Sequence, residues 1–157
     1  MLFKQWLAGA FIVCLAGAGL AKALNGTVAP SGLDPQTAPP VQFVTAEELK
    51  AKIAKNEPVT VIDVRASSDL DNSENKIKGA IHVKLRKLQS RLGLPPLKNV
   101  PRDSEVVTYC ACPNDEASIR AVELLTTAGF KRVRALRGGW VAWKKINGQV
   151  EARPRVL

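Results

Sequence analysis

Histidine, methionine and tyrosine each occur once in this chain of 157 residues, aromatic residues make up 5% of it, and cysteine occurs three times. With His82 as the single imidazole, a zinc site would have to be completed by carboxylates, so neither a metal nor a cofactor is expected. The shortage of aromatic rings bears on the basic segments Lys84-Leu85-Arg86-Lys87, Lys131-Arg132-Val133-Arg134 and Lys144-Lys145. Proteins that bind single-stranded nucleic acid stack bases on rings set among such cations, and here the rings are missing, so no nucleic acid is expected as a partner. Cys14 lies in an N-terminal apolar run, which leaves Cys110 and Cys112 in the body of the chain. One residue apart, they cannot close a long loop and staple a fold, so their proximity is either chemistry or accident.

What is present is ordinary globular composition, 46% apolar and 24% charged, with a formal charge of +9. Removing residues 1–23 takes away Lys4 and Lys22, leaving 21 basic against 14 acidic residues, or +7. Such a surface favours anionic partners without selecting one.

Four segments follow from composition. Residues 1–23 carry no charge between Lys4 and Lys22 and end in Ala21-Lys22-Ala23, the pattern of a secretory signal peptide cleaved after Ala23. The alternative is an uncleaved anchor, with membrane attachment through residues 5–21. Either reading puts the domain outside the cytoplasm, exported to the periplasm or held at the membrane. Residues 24–41 hold Pro30, Pro35, Pro39 and Pro40 without a hydrophobic period and read as a linker. A domain over 42–152 and a tail over 153–157 complete the chain.

Inside the domain, Thr45-Ala46-Glu47-Glu48 has the capping-box pattern and predicts a helix over about 46–55. The β-branched run Val59–Val64 predicts a buried strand, and Glu105–Tyr109 and Arg132–Ala135 two more. Between the last two, Ser118 to Gly129 carries a helical stripe of Ile119, Val122, Leu124, Leu125 and Ala128 closed by Gly129. Alternating strands and helices predict an α/β fold, a parallel central sheet flanked by helices on both faces. Ligands of such sheets bind beyond the carboxyl ends of the strands, where Cys110 falls.

Three motifs in order, Val61-Ile62-Asp63-Val64-Arg65, Ile77-Lys78-Gly79-Ala80-Ile81-His82 and Arg137-Gly138-Gly139-Trp140-Val141-Ala142-Trp143, make residues 43–151 resemble the rhodanese family. The loop Cys110-Ala111-Cys112-Pro113-Asn114 is similar to a bacterial subset of that family with a Cys-x-Cys-Pro-Asn active-site loop. The resemblance implies a single rhodanese-like domain and a sulfurtransferase, moving sulfur from a small sulfur donor to a thiol or thiophilic acceptor. It implies a nucleophilic cysteine where the strand ends, held among backbone N–H groups at a helix N-terminus and carrying sulfur as a persulfide. Cys110 is that residue; counting back from Gly129 would select Cys112 instead.

Around it, Ala111, Cys112, Pro113, Asn114, Asp115, Glu116, Ala117 and Ser118 are the expected loop and substrate-binding positions, with Asp63 and Arg65 supporting the loop. Cys112 reads either as a resolving thiol or as a small filler. Asp115 and Glu116 suit the first turn of a helix through its dipole. They would also repel a phosphate dianion, and the loop lacks the arginine that phosphatases of similar design use, which disfavours phosphatase chemistry. Arg65 or Arg120 could offset that repulsion for an anionic sulfur donor. His82 reads as a strand or turn residue, and Trp140 and Trp143 as packing. Two other classes compete with the sulfurtransferase: a non-catalytic interaction module on the same fold, and a thiol-disulfide redox protein using Cys110 and Cys112.

Overall fold

A computed structural model describes residues 40–66 and 74–153. The leader, nearly all of the linker and the last four residues of the tail lie outside the described residues, and so does any membrane attachment through residues 5–21.

Chain order explains the architecture. A short strand β1 (Gln42–Val44) leads into helix α1 (Ala46–Ala54), whose start is set by Thr45. The Thr45 hydroxyl accepts the Glu48 N–H at 3.1 Å, the first half of the expected capping box, while the Glu48 carboxylate takes Arg134 at 2.8 Å. Strand β2 (Val59–Asp63) follows, then β3 (Asn75–Ile77), β4 (Ile81–His82) and helix α2 (Leu85–Arg91). After a short 3₁₀ turn come β5 (Glu105–Tyr109), α3 (Glu116–Thr127), β6 (Arg132–Leu136), α4 (Gly139–Lys145) and β7 (Val150–Ala152).

Five strands form one parallel sheet in the order β1-β6-β5-β2-β4, and β3 pairs antiparallel with β7 in a separate ribbon. The fold is therefore the expected α/β arrangement. Because successive strand residues point to opposite faces, Ile62 and Val106 enter one core cluster while Val61 and Val107 enter the other. The first cluster is roofed by α2 and α3 through Leu88, Val122 and Leu125, the second by α1 and α4 through Leu49, Trp140 and Trp143. Full burial of such side chains contributes roughly 1.5–3 kcal/mol each. Both tryptophans are packing residues, each 1% exposed.

The predicted strands match β2, β5 and β6 to within a residue. Helix α3 begins at Glu116, two residues before the predicted Ser118, and ends where Gly129 takes a φ of +92°, a conformation that suits only glycine at low cost.

Candidate functional site

The carboxyl ends of β4, β2 and β5 lie side by side, with Asp63 in register with His82 on one flank and Tyr109 on the other. Asp63 is fully buried, and its carboxylate accepts the Arg65 side chain twice, at 2.9 Å from Nε and 2.8 Å from Nη2, as well as the Arg65 backbone N–H at 3.1 Å. His82 Nδ1 stands 3.3 Å from Asp63 Oδ2. Burial opposes ionisation of Asp63, but the His82 and Arg65 hydrogen bonds and the Arg65 charge outweigh it and hold the carboxyl at about 2.

Arg65 spends its remaining capacity on structure. Its Nη2 donates to the Asn75 carbonyl at 2.7 Å, and its guanidinium lies 4.3 Å from the Trp140 ring centroid and 5.4 Å from that of Tyr109. At 1% exposure Arg65 packs at the strand ends and is buried too deeply to greet an anion from solvent. Arg120 is surface-exposed and pairs with Glu123 on its own helix. The Tyr109 hydroxyl accepts the Ile77 N–H at 3.1 Å; burial, with the neighbouring Asp63 charge, pushes this phenol well above its ordinary range, so it stays neutral.

Beyond Tyr109 the chain leaves the sheet and forms the loop 110–115. Two contacts pin it to the turn that opens α4. The Cys110 carbonyl accepts the Trp140 N–H at 2.8 Å, and the Asp115 carboxylate accepts the Gly138 N–H at 2.8 Å. Asp115 does not stabilise its own helix in the expected way; it takes a left-handed φ of 56° as the residue before α3 and reaches across to the other turn. Glu116 does occupy the first turn of α3. Ser118 is fully buried, donating to the Asp115 carbonyl at 2.8 Å, with its hydroxyl oxygen 3.8 Å from Cys110 Sγ. Pro113 and Asn114 are exposed at the loop tip, and Ala111 and Ala117 are half-buried.

The two sulfurs are joined: Cys110 and Cys112 form a disulfide with their Cα atoms 5.7 Å apart. Cys110 is 1% exposed, whereas Cys112 is half-buried. The N–H aimed at sulfur is that of Ala117, in the first turn of α3, and it reaches Cys112 Sγ at 3.4 Å. The helix-terminus contact expected at Cys110 thus falls on its neighbour.

The loop therefore couples a buried sulfur, a second sulfur at a helix N-terminus and a carboxylate tie to α4. Residues 45–146 match the rhodanese-like domain family. The chain belongs to that family.

This rhodanese-like domain is 28% identical over 105 residues to a protein of Allochromatium vinosum named sulfurtransferase, covering 67% of this chain and 90% of that one. It is 30% identical over a 130-residue alignment to SseB of Mycobacterium tuberculosis, named as a candidate thiosulfate sulfurtransferase, covering 69% of this chain. It spans only 46% of the length of SseB. Among solved structures, the Alr3790 protein of Anabaena sp. matches with a TM-score of 0.60 at 32% identity, covering 70% of this chain and 92% of that one. A thiosulfate sulfurtransferase of Pseudomonas aeruginosa shares the fold, with a TM-score of 0.58 at 18% identity, covering 72% of this chain and 20% of that one. The family that this rhodanese-like domain joins thus includes proteins named as sulfurtransferases.

Three supporting features of the site were not singled out from sequence. The His82 contact to Asp63 joins residues 19 positions apart, which no local pattern signals, although a lone histidine inside a motif was a hint. The Asp115 bond to Gly138 is equally non-local. A cavity of about 350 Å³ beside β4 is lined by His82, Lys84, Arg86, Lys87 and Arg91 with no carboxylate among its lining residues. It absorbs one of the basic segments that composition alone left as surface.

Proposed function

We propose that this protein is an exported rhodanese-type sulfurtransferase that carries sulfane sulfur as a persulfide on Cys110. The observation that carries the reading is the position of Cys110, directly after β5 at the carboxyl edge of the parallel sheet, with its backbone clamped by Trp140 N–H. Ligands of parallel sheets bind at that edge. The sulfurtransferase names of relatives at 28% and 30% identity support the same chemistry.

In the forward half-reaction the Cys110 thiolate attacks the sulfane sulfur of a small donor, the donor's remaining group leaves with the electron pair, and Cys110 holds the sulfur. In the second half a thiol or other thiophilic acceptor takes it away. The loop acids and the engagement of Arg65 with Asp63 make thiosulfate, a dianion, a poor fit as donor. Export rests on residues 1–23 and their Ala21-Lys22-Ala23 ending.

Intact-mass measurement of the reduced full-length chain after exposure to a small-thiol persulfide tests the reading. With Cys112→Ser removing the neighbouring thiol, the expected result is the addition of a sulfur atom that cyanide removes, lost when Cys110→Ala is added. A Cys112→Ser chain that takes up no sulfur from any of several donors would refute it. The mass of the same protein recovered from cells reports export, with cleavage after Ala23 expected.

A further inference from the structure

The disulfide between Cys110 and Cys112 shows that the Cys112 sulfur reaches Cys110 Sγ with the loop in its folded position. Three observations make Cys112 the attacking partner. Its sulfur accepts the Ala117 N–H at 3.4 Å, at the positive end of the 12-residue helix α3, which favours thiolate over thiol. It is half-buried while Cys110 is 1% exposed, so Cys112 is the more accessible of the two. A thiol tethered two residues away also outcompetes one arriving by diffusion, because its effective concentration is far higher.

We infer that Cys112 is the resolving thiol that displaces the sulfur carried by Cys110, so that the loop discharges it as hydrosulfide and closes into the Cys110–Cys112 disulfide. This rests on the persulfide reading given above. The Cys112 thiolate attacks Cys110 Sγ of the persulfide. An S–S bond forms between the two cysteine sulfurs, and the bond from Cys110 Sγ to the outer sulfur breaks. The outer sulfur leaves with that electron pair and, with the proton given up by Cys112, becomes hydrosulfide. In net terms the two cysteine thiols are oxidised to a disulfide and the sulfane sulfur is reduced to sulfide.

Turnover then requires a dithiol reductant, which attacks the disulfide and leaves both cysteines as thiols. Cys112 is the sulfur it would attack, being the more accessible of the two, with Cys110 the leaving thiolate. The partner class is thus a thiol-disulfide exchange protein rather than a dedicated sulfur acceptor. The activity is reduction of sulfane sulfur to sulfide, with the domain cycling between dithiol and disulfide.

The test uses the full-length chain, reduced and freed of small thiols, then loaded with one equivalent of glutathione persulfide and passed quickly through a desalting column. Hydrosulfide release and non-reducing intact mass are followed together in the wild type, Cys112→Ser and Cys110→Ser, with Cys112→Ala as a second variant and circular dichroism to confirm folding. The expected wild-type result is release of hydrosulfide and loss of two hydrogens relative to the reduced chain. Both Cys112 variants are expected to load sulfur, retain it, and release none. A wild type that loads and keeps its persulfide overturns the inference and leaves the sulfur-carrier reading intact. Sulfur retained by Cys110→Ser but not taken up by the Cys112 variants reverses the two roles and overturns it also. No uptake by any form defeats the carrier reading, and this inference with it.

Discussion

A side chain at Gly139 would meet the Cys110 carbonyl at far less than contact distance, and the residue holds a φ of +45° that L side chains rarely adopt. Both constraints come from one requirement, that α4 start close enough for Trp140 N–H to hold the Cys110 backbone. Gly139→Ala is therefore expected to cost about 2–4 kcal/mol, combining backbone strain with displacement of the loop. Urea denaturation gives the stability loss. Sulfur uptake measured under conditions where the variant is still folded should fall as well, since the displaced atom belongs to Cys110. A variant as stable as the wild type would show that the two turns are not held this tightly. The Gly138-Gly139 pair was visible in the sequence as part of a motif, but the reason for it was not. Only the register of β5 against β6 brings position 139 over position 110.

At the scale of elements, strands β2 and β5 could be read from their β-branched runs, whose residues are buried or half-buried throughout, while β6 alternates Arg132 and Arg134 with the buried Val133 and Ala135. Strands β3, β4 and β7 are two or three residues long, too short to display a period. Helix α2 begins at Leu85 after Lys84, which makes no side-chain cap, and has no acid in its first turn, so it lacked the signals that betrayed α1. The site was legible to the same degree. Two cysteines at a strand end marked the loop, while the tie between its far end and α4 depends on Asp115 crossing to a residue 23 positions away.

That tie makes an ordered prediction. Asp115→Gly removes the bond to Gly138 but suits the φ of 56°, whereas Asp115→Ala removes the bond and strains the backbone. Losses of about 1–2 kcal/mol for glycine and about 1 kcal/mol more for alanine are expected in chemical denaturation. The reverse order would place the role of Asp115 in its own helix rather than across the loop.

Taken as a whole, the molecule concentrates its buried charge at opposite ends of the sheet. At the carboxyl edge Asp63 meets Arg65 and His82; at the amino edge Glu105, starting β5, meets Lys52, Arg132 and Arg134. Burial works against ionisation of Glu105 too, and hydrogen bonds from Arg134 and Lys52 overcome it, so its carboxyl also titrates below the usual range. A carboxyl depressed by folding contributes stability that is present above its unfolded pKa and lost as the pH falls through its folded value. For Asp63, held at about 2 against the ordinary value of 3.8, the contribution is about 2 kcal/mol at neutral pH and fades between about pH 4 and pH 2. Glu105 acts in the same direction. Urea midpoints should therefore hold steady from pH 7 to about pH 5 and drop steeply below pH 4. Asp63→Asn should start lower at pH 7, because it strands the buried Arg65 charge, and should then lose less stability on acidification than the wild type does. Equal slopes in the two proteins would mean that Asp63 is not the group whose protonation unlocks the carboxyl edge.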